Sequence, residues 1–217
     1  MRKKRILCGV ILLALFIIFT VAVKTVDVGK VGENSILVGF STVNGFLAKA
    51  FPYNEIFHKL SDYVGYSAFI ICAIYGTIGL IQLIARKDVL KVDKEILLLG
   101  FLYVITLILK VVFDIFVINY RPVLIGGELK ASYPSSHTFM ALIVCGSSVV
   151  INKKKFNNAF TKVTNYICFI LGIIIIVTRI LAGVHWMSDI VGSVLLSFAL
   201  ILLYSGIITN KDNQNSI

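Results

Sequence analysis

The 217-residue sequence is 58% hydrophobic and only 15% charged, with a mean hydropathy of +0.93; soluble domains carry roughly a quarter of charged residues, so this is an integral membrane protein with repeated bilayer-length apolar runs. The runs are continuous rather than alternating, which excludes a β-barrel and leaves helices. The formal charge of +10 gathers at the ends of the runs, where it signals topology and suits anionic phospholipid, and no interleaved basic and aromatic stripe points to nucleic acid.

Arg2, Lys3, Lys4 and Arg5 precede an apolar run from Ile6 to Val23. A signal peptide has the same charge order, but its apolar part is shorter and a small-residue cleavage site follows; the run reads as an uncleaved first span. Residues 24 to 62 are mixed. Within them, Val43 to Phe51 and Asn54 to Leu60 form two short amphipathic pieces broken by Pro52. Such pieces lie in the interface plane, with Lys49 and Lys59 near headgroups, which places an interfacial segment at about 40–60. His58 has no catalytic-type neighbour in sequence and reads as an ordinary surface histidine.

The second span is Tyr63 to Ala85, the third Glu95 to Ile118, and the fourth a short one from His137 to Ile151. Val163 to Thr178 is the fifth, and Met187 to about Thr209 the sixth. A charged loop, 86–94, a polar Gly- and Pro-containing loop, 119–136, and a basic loop, 152–162, connect them; a polar tail, 210–217, follows. Cys8, Cys72, Cys145 and Cys168 each lie in an apolar run without metal-ligand spacing and read as small buried hydrophobes. Matched pairs of broken helices, the mark of inverted-repeat transporters, are missing. The expected fold is all-α: one polytopic membrane domain over 1–217 with six transmembrane helices and a catalytic core at 95–209.

With six spans, the clusters at residues 2–5, 86–94 and 153–162, and Lys211, fall on one side. Basic loops stay cytoplasmic, so both termini are expected there. The loops 119–136 and 179–186 then face outward.

Three elements converge on that outer face: Asn119, Tyr120, Arg121 and Pro122; Tyr133 to His137; and Thr178 to Asp189. Ionisable residues at span ends mark function. Arg121 and Arg179 can each offer paired donors to a tetrahedral oxyanion. Pro134, Ser135, Ser136 and His137 read as a helix start, with serine as cap and free N–H groups suited to an anion. His185 and Asp189, four apart, let a carboxylate fix one ring nitrogen and leave the other to attack. His137, from another loop, is placed to protonate the leaving oxygen. Trp186 and Tyr120 read as interfacial belt residues; Tyr133 stands open between belt and substrate contact.

Arg121-Pro122, then Pro134-Ser135-x-His137, then Arg179-x5-His185-x3-Asp189 resembles the three-part signature of the type 2 phosphatidic acid phosphatase and vanadium haloperoxidase superfamily. The resemblance covers spans three to six. It implies an all-helical core and dephosphorylation through a phosphohistidine without metal or other cofactor. By position, His185 would be the nucleophile, Asp189 its partner and His137 the general acid; Arg121, Arg179, Ser135 and the backbone at Ser136 would bind phosphate. The chain departs from the pattern where the family has a lysine seven residues before the arginine. Asp114 stands there, and the nearest lysine, Lys110, is a turn deeper. Either the two pair at i,i+4, or Asp114 orients an arginine or meets a cationic headgroup. Ser136 replaces a glycine and Thr178 a serine.

The function expected is that of a lipid phosphate or diphosphate phosphohydrolase at the outer face of a bacterial cytoplasmic membrane. Its partners would be the bilayer and a lipid substrate: undecaprenyl diphosphate first, then phosphatidylglycerophosphate or phosphatidic acid. Two other readings stand beside it. One is a catalytically impaired member that binds or transports phospholipid, kept open by the missing lysine. The other is a vanadate-dependent peroxidase, against which membrane embedding argues. Neither the preferred lipid nor the oligomeric state is legible in the sequence.

Overall fold

The computed structural model describes residues 1–32 and 35–209; the tail from 210, including Lys211, lies outside them. Within the described residues seven α-helices run in chain order: α1 (Arg2–Thr25), α2 (Ser41–Ala50), α3 (Glu55–Arg86), α4 (Lys94–Ile115), α5 (Ser136–Ile151), α6 (Ala159–Leu181) and α7 (Met187–Ile208). A short antiparallel hairpin, β1 (Gly29–Val31) with β2 (Ile36–Val38), joins α1 to α2. Three-residue strands carry no readable periodicity, so the sequence gives no sign of them.

Among the described residues five helices, α1, α3, α4, α6 and α7, are long and apolar enough to cross a membrane. The expected fourth span, α5, has only 16 residues, extended by a five-residue π turn at Asn152–Phe156. Together they reach about 31 Å at 1.5 Å per residue, a bilayer's hydrocarbon thickness. α5 packs between α3, α6 and α7, while α1 lies along α7. Phe139, Ala141, Ile143 and Ser147 of α5 are almost wholly buried. Long apolar side chains elsewhere point outward, among them Leu7, Ile18, Phe69, Ile84, Phe101 and Phe169. An apolar belt of that extent needs lipid around it.

Small residues set the closest approaches. A Cβ on Gly9 would come within 2.9 Å of Leu203, and one on Gly206 within 2.5 Å of Ile6, so α1 and α7 meet backbone to side chain. Serines of α7 bond across to α5: Ser193 donates to the Ser135 carbonyl at 3.0 Å and Ser197 to that of Phe139 at 3.2 Å. Of the cysteines, Cys145 and Cys168 are buried, Cys72 is intermediate, and Cys8 lies on the outer face of α1, against expectation.

The start of the second span also differs from the reading. Asn54 to Leu60 is not a separate amphipathic piece. The Asn54 side chain accepts from the Ile56 and Phe57 N–H groups, capping one helix that continues without a break to Arg86. At 32 residues α3 is about 48 Å long, longer than a crossing needs, and its first turns stand beside the loops between the other helices.

The ends of α1 and α7 meet at the basic pole, where Arg5 donates to Ser205 at 2.9 Å and Thr209 at 3.1 Å. Lys154 pairs with Glu95 at 2.7 Å, Lys155 with Asp93 at 3.0 Å, and Arg86 with Asp93 at 2.8 Å. The opposite pole holds the loops 116–135 and 182–186, α2 and the start of α3.

Candidate active site

The loop after α4 is a tight hairpin. Gly126 and Gly127, at φ +66° and +79°, form its turn, the geometry that suits a two-residue connection. Tyr120 bridges Ala131, Arg121 N–H donates to the Lys130 carbonyl, and Ser132 N–H to that of Asn119. Asn119 and Ser132 thereby stand opposite one another, and both reach the carboxylate of Asp189.

Asp189 is wholly buried at the first turn of α7. Its Oδ2 accepts from the Trp186 N–H at 2.9 Å and from the Ser132 hydroxyl, and its Oδ1 from the Asn119 amide at 3.4 Å. The same Oδ2 lies 3.4 Å from His185 Nδ1, and Ser132 Oγ is 3.2 Å from that nitrogen. The expected His185–Asp189 pairing is therefore present, with a serine and an asparagine added to it. Burial, with the Arg121 and Arg179 guanidiniums nearby, pushes the His185 imidazole well below the ordinary histidine value. Its other nitrogen, Nε2, is buried and has no hydrogen-bond partner among the described residues.

Arg179 ends α6 and is fully buried. Both of its terminal nitrogens meet α3: Nη2 donates to Asp62 Oδ1 at 2.9 Å, and Nη1 lies 3.1 Å from His58 Nδ1. Its Nε is buried and unpartnered among the described residues, as is Nδ1 of His137. The Nε2 of His137, at the start of α5, stands 3.5 Å from Asp62 Oδ1. His58 is therefore no ordinary surface histidine, and Asp62 joins two motif residues. The sequence offered no hint of this, because Asp62 falls just before the expected second span, where a single carboxylate looks like a solvated span end.

Arg121 is partly buried; its Nε donates to the Ala131 carbonyl at 3.4 Å. Burial lowers its pKa, opposed by the carboxylates of Asp189, Asp62 and Asp114. Ser135 occupies the N-cap position of α5 but makes no side-chain bond to the backbone. Its buried hydroxyl accepts from Thr138 at 2.9 Å, and its N–H donates to the Asp189 carbonyl at 3.3 Å. Ser136 is the first helical residue of α5, where N–H groups lack intrahelical acceptors. Lys110 and Asp114 pair at 2.5 Å, both close to half exposed.

One aromatic reading is corrected, and one left open is decided. Trp186 is 1% exposed, and its indole N–H donates to the Tyr120 carbonyl at 2.7 Å; it locks the His185 loop to the hairpin and is not a belt residue. Tyr133, also 1% exposed, bonds Thr20 of α1 at 2.8 Å and stacks on Phe16. It is neither belt nor substrate contact. Tyr120 itself is partly exposed.

The loop carrying His185 is shaped from outside. Gly183 adopts φ +63°, and a Cβ there would fall 2.6 Å from the Phe51 carbonyl oxygen. Asn54 N–H donates to the Ala182 carbonyl at 3.1 Å. On α2, Asn44 bonds Ser188 at 3.0 Å. Between α2 and this loop lies a narrow recess lined in part by Asn44, Phe51, Gly183, His185 and Met187.

A search of curated protein sequences returned no match. Among solved structures, a transmembrane PAP2-type phosphatidylglycerolphosphate phosphatase from Bacillus subtilis is similar, at 19% identity and a TM-score of 0.65, over 94% of this chain and 98% of that one. At that identity the likeness speaks for the helical membrane fold. The PAP2 superfamily model matches residues 95–212, a segment that contains all three motif elements. Since that match takes in more than half of the sequence, the chain belongs to the PAP2 superfamily.

Proposed function

We propose that this lipid phosphatase of the PAP2 superfamily works through a phosphohistidine on His185, without a metal, at the outer face of a bacterial cytoplasmic membrane. The observation that carries the reading is the division of the His185 ring. Nδ1 is held by Asp189 and Ser132, while Nε2 is buried and free of partners among the described residues. That fixes the tautomer that leaves a lone pair on Nε2. Nε2 attacks phosphorus as the bond to the lipid oxygen breaks, and His137 gives that oxygen its proton. Arg121, Arg179 and the Ser136 N–H hold the phosphoryl oxygens, with Ser135 shaping the turn below them. Water, losing a proton to His137, then displaces phosphate from His185.

Outward orientation is supported by the basic pole, since loops rich in lysine and arginine stay cytoplasmic. The substrate class is a lipid phosphate or diphosphate. Undecaprenyl diphosphate, phosphatidylglycerophosphate and phosphatidic acid form the panel, and the fold likeness to a phosphatidylglycerolphosphate phosphatase brings the second forward. A non-catalytic phospholipid binder was suggested only by Asp114, whose pairing with Lys110 leaves the His185 constellation intact.

The test is phosphate release by purified protein in detergent against this panel, with EDTA present. Release is expected to persist in EDTA and to fall by about 10³-fold or more in His185→Ala. No release from any of the lipids, or a His185→Ala variant equal to the parent, overturns the proposal.

A further inference from the structure

One face of α3 lies against the catalytic constellation although α3 precedes the matched segment and carries none of the three motifs. His58, Asp62 and Gly65 are spaced i, i+4, i+7 and share a side of the helix. Asp62 Oδ1 accepts from Arg179 Nη2 at 2.9 Å and stands 3.5 Å from His137 Nε2, so one oxygen serves two motif residues. His58 takes the other end of the same guanidinium at 3.1 Å. Gly65 provides the room: a Cβ there would lie 3.1 Å from Cδ2 of the His137 ring. The Asp62 side chain is 30% exposed, whereas Arg179 is wholly buried, so the carboxylate sits at the mouth of the site with the guanidinium beneath it.

We infer that Asp62 is a positioning residue for the leaving-group acid: its carboxylate accepts the Nε2–H of His137, so that the Nδ1 proton goes to the departing lipid oxygen. The inference rests on the phosphohistidine reading above. In the first step the His185 Nε2–phosphorus bond forms, the phosphorus–lipid oxygen bond breaks, and the oxygen takes the Nδ1 proton. Asp62 stays ionised throughout and faces an imidazole that passes from cation to neutral. In the second step water returns a proton to Nδ1 as its oxygen bonds phosphorus and His185 is released. His58 and Asp62 Oδ1 also meet both terminal nitrogens of Arg179, and asparagine keeps that Oδ1 acceptor, so Asp62→Asn removes the charge facing His137 while the Arg179 contact stays.

In kcat/KM, which reads only the steps up to the phosphohistidine, a counter-ion that only neutralises Arg179 would act on every substrate alike, whereas one that serves the acid matters only when the leaving oxygen needs a proton. The experiment therefore compares a lipid phosphate, whose alkoxide leaves poorly, with p-nitrophenyl phosphate, whose phenolate leaves unaided. Asp62→Asn is expected to lower kcat/KM on the lipid by about 10²-fold, the usual share of general-acid catalysis, and to leave kcat/KM on the aryl ester within a few-fold. Asp62→Glu should restore part of the lipid activity. If Asp62→Asn does not fold, Gly65→Ala takes its place: it presses the His137 ring off Asp62 and should show the same split. Equal losses on both substrates, or no loss on either, overturn this inference alone. A parent protein inactive on both sinks the phosphatase reading and this one with it.

Discussion

The Asp189 carboxylate gathers Ser132, Asn119, the Trp186 N–H and His185 around one buried charge. Ionised carboxylates are tolerated at such depth only when donors surround them. Hydrogen bonds to charged groups contribute about 1.5–3 kcal/mol, so Ser132→Ala should lower lipid phosphatase turnover by about tenfold or more. Phosphate-release assays on the purified variant check this, and a change below about twofold would show that Asp189 holds His185 without the serine. The motif residues were legible because their spacing along helix ends encodes a shared direction. Ser132 and Asn119 were not, because only the register of the hairpin at Gly126–Gly127 sets them face to face. Trp186 was misread for a similar reason: an aromatic at a span end carries the same signature whether it meets headgroups or a backbone carbonyl.

The helices themselves were readable from the length of their apolar runs, and the boundaries of α4, α6 and α7 moved only by a few residues. The failure came at α3, where falling hydrophobicity over 55–62 was taken as a break although nothing in those residues opposes a helix and Asn54 caps one. That misplacement concealed His58 and Asp62. On α4 the Lys110–Asp114 pair follows the i,i+4 rule, and its members are 42% and 48% exposed. Asp114→Asn is accordingly expected to change kcat/KM for the lipid by less than about threefold. A tenfold change in either direction would place Asp114 within the phosphate site after all.

Across the whole molecule, the two poles divide the chemistry. One holds the loops that carry the three motifs; the other is tied by Arg86, Lys154 and Lys155 to Asp93 and Glu95, joining α3, α4 and the π turn below α5. Hydrogen bonds from Arg86 and then Lys155 lower the Asp93 pKa to about 2. A carboxyl depressed in the folded state takes up its proton first in the unfolded chain. Its stabilisation is thus complete above the ordinary value of 3.8 and is lost as pH falls through about 2. Thermal unfolding in detergent should show Tm dropping across this window, and Asp93→Asn should flatten that part of the curve. The two-pole layout was visible in the basic loops, but which acid meets which lysine was not, because those pairs join segments far apart in sequence.

The contact of Gly183 with Phe51 and Pro52, and the Asn54–Ala182 bond, bear on modularity. The loop bearing His185 is cast against a linker that lies ahead of the family-matched segment. Residues 95–209 are therefore not a transferable cassette. A chimera joining them to the N-terminal helices of another family member would need to bring residues 51–54 along, since that turn and Gly183 form one mould split between two parts of the chain.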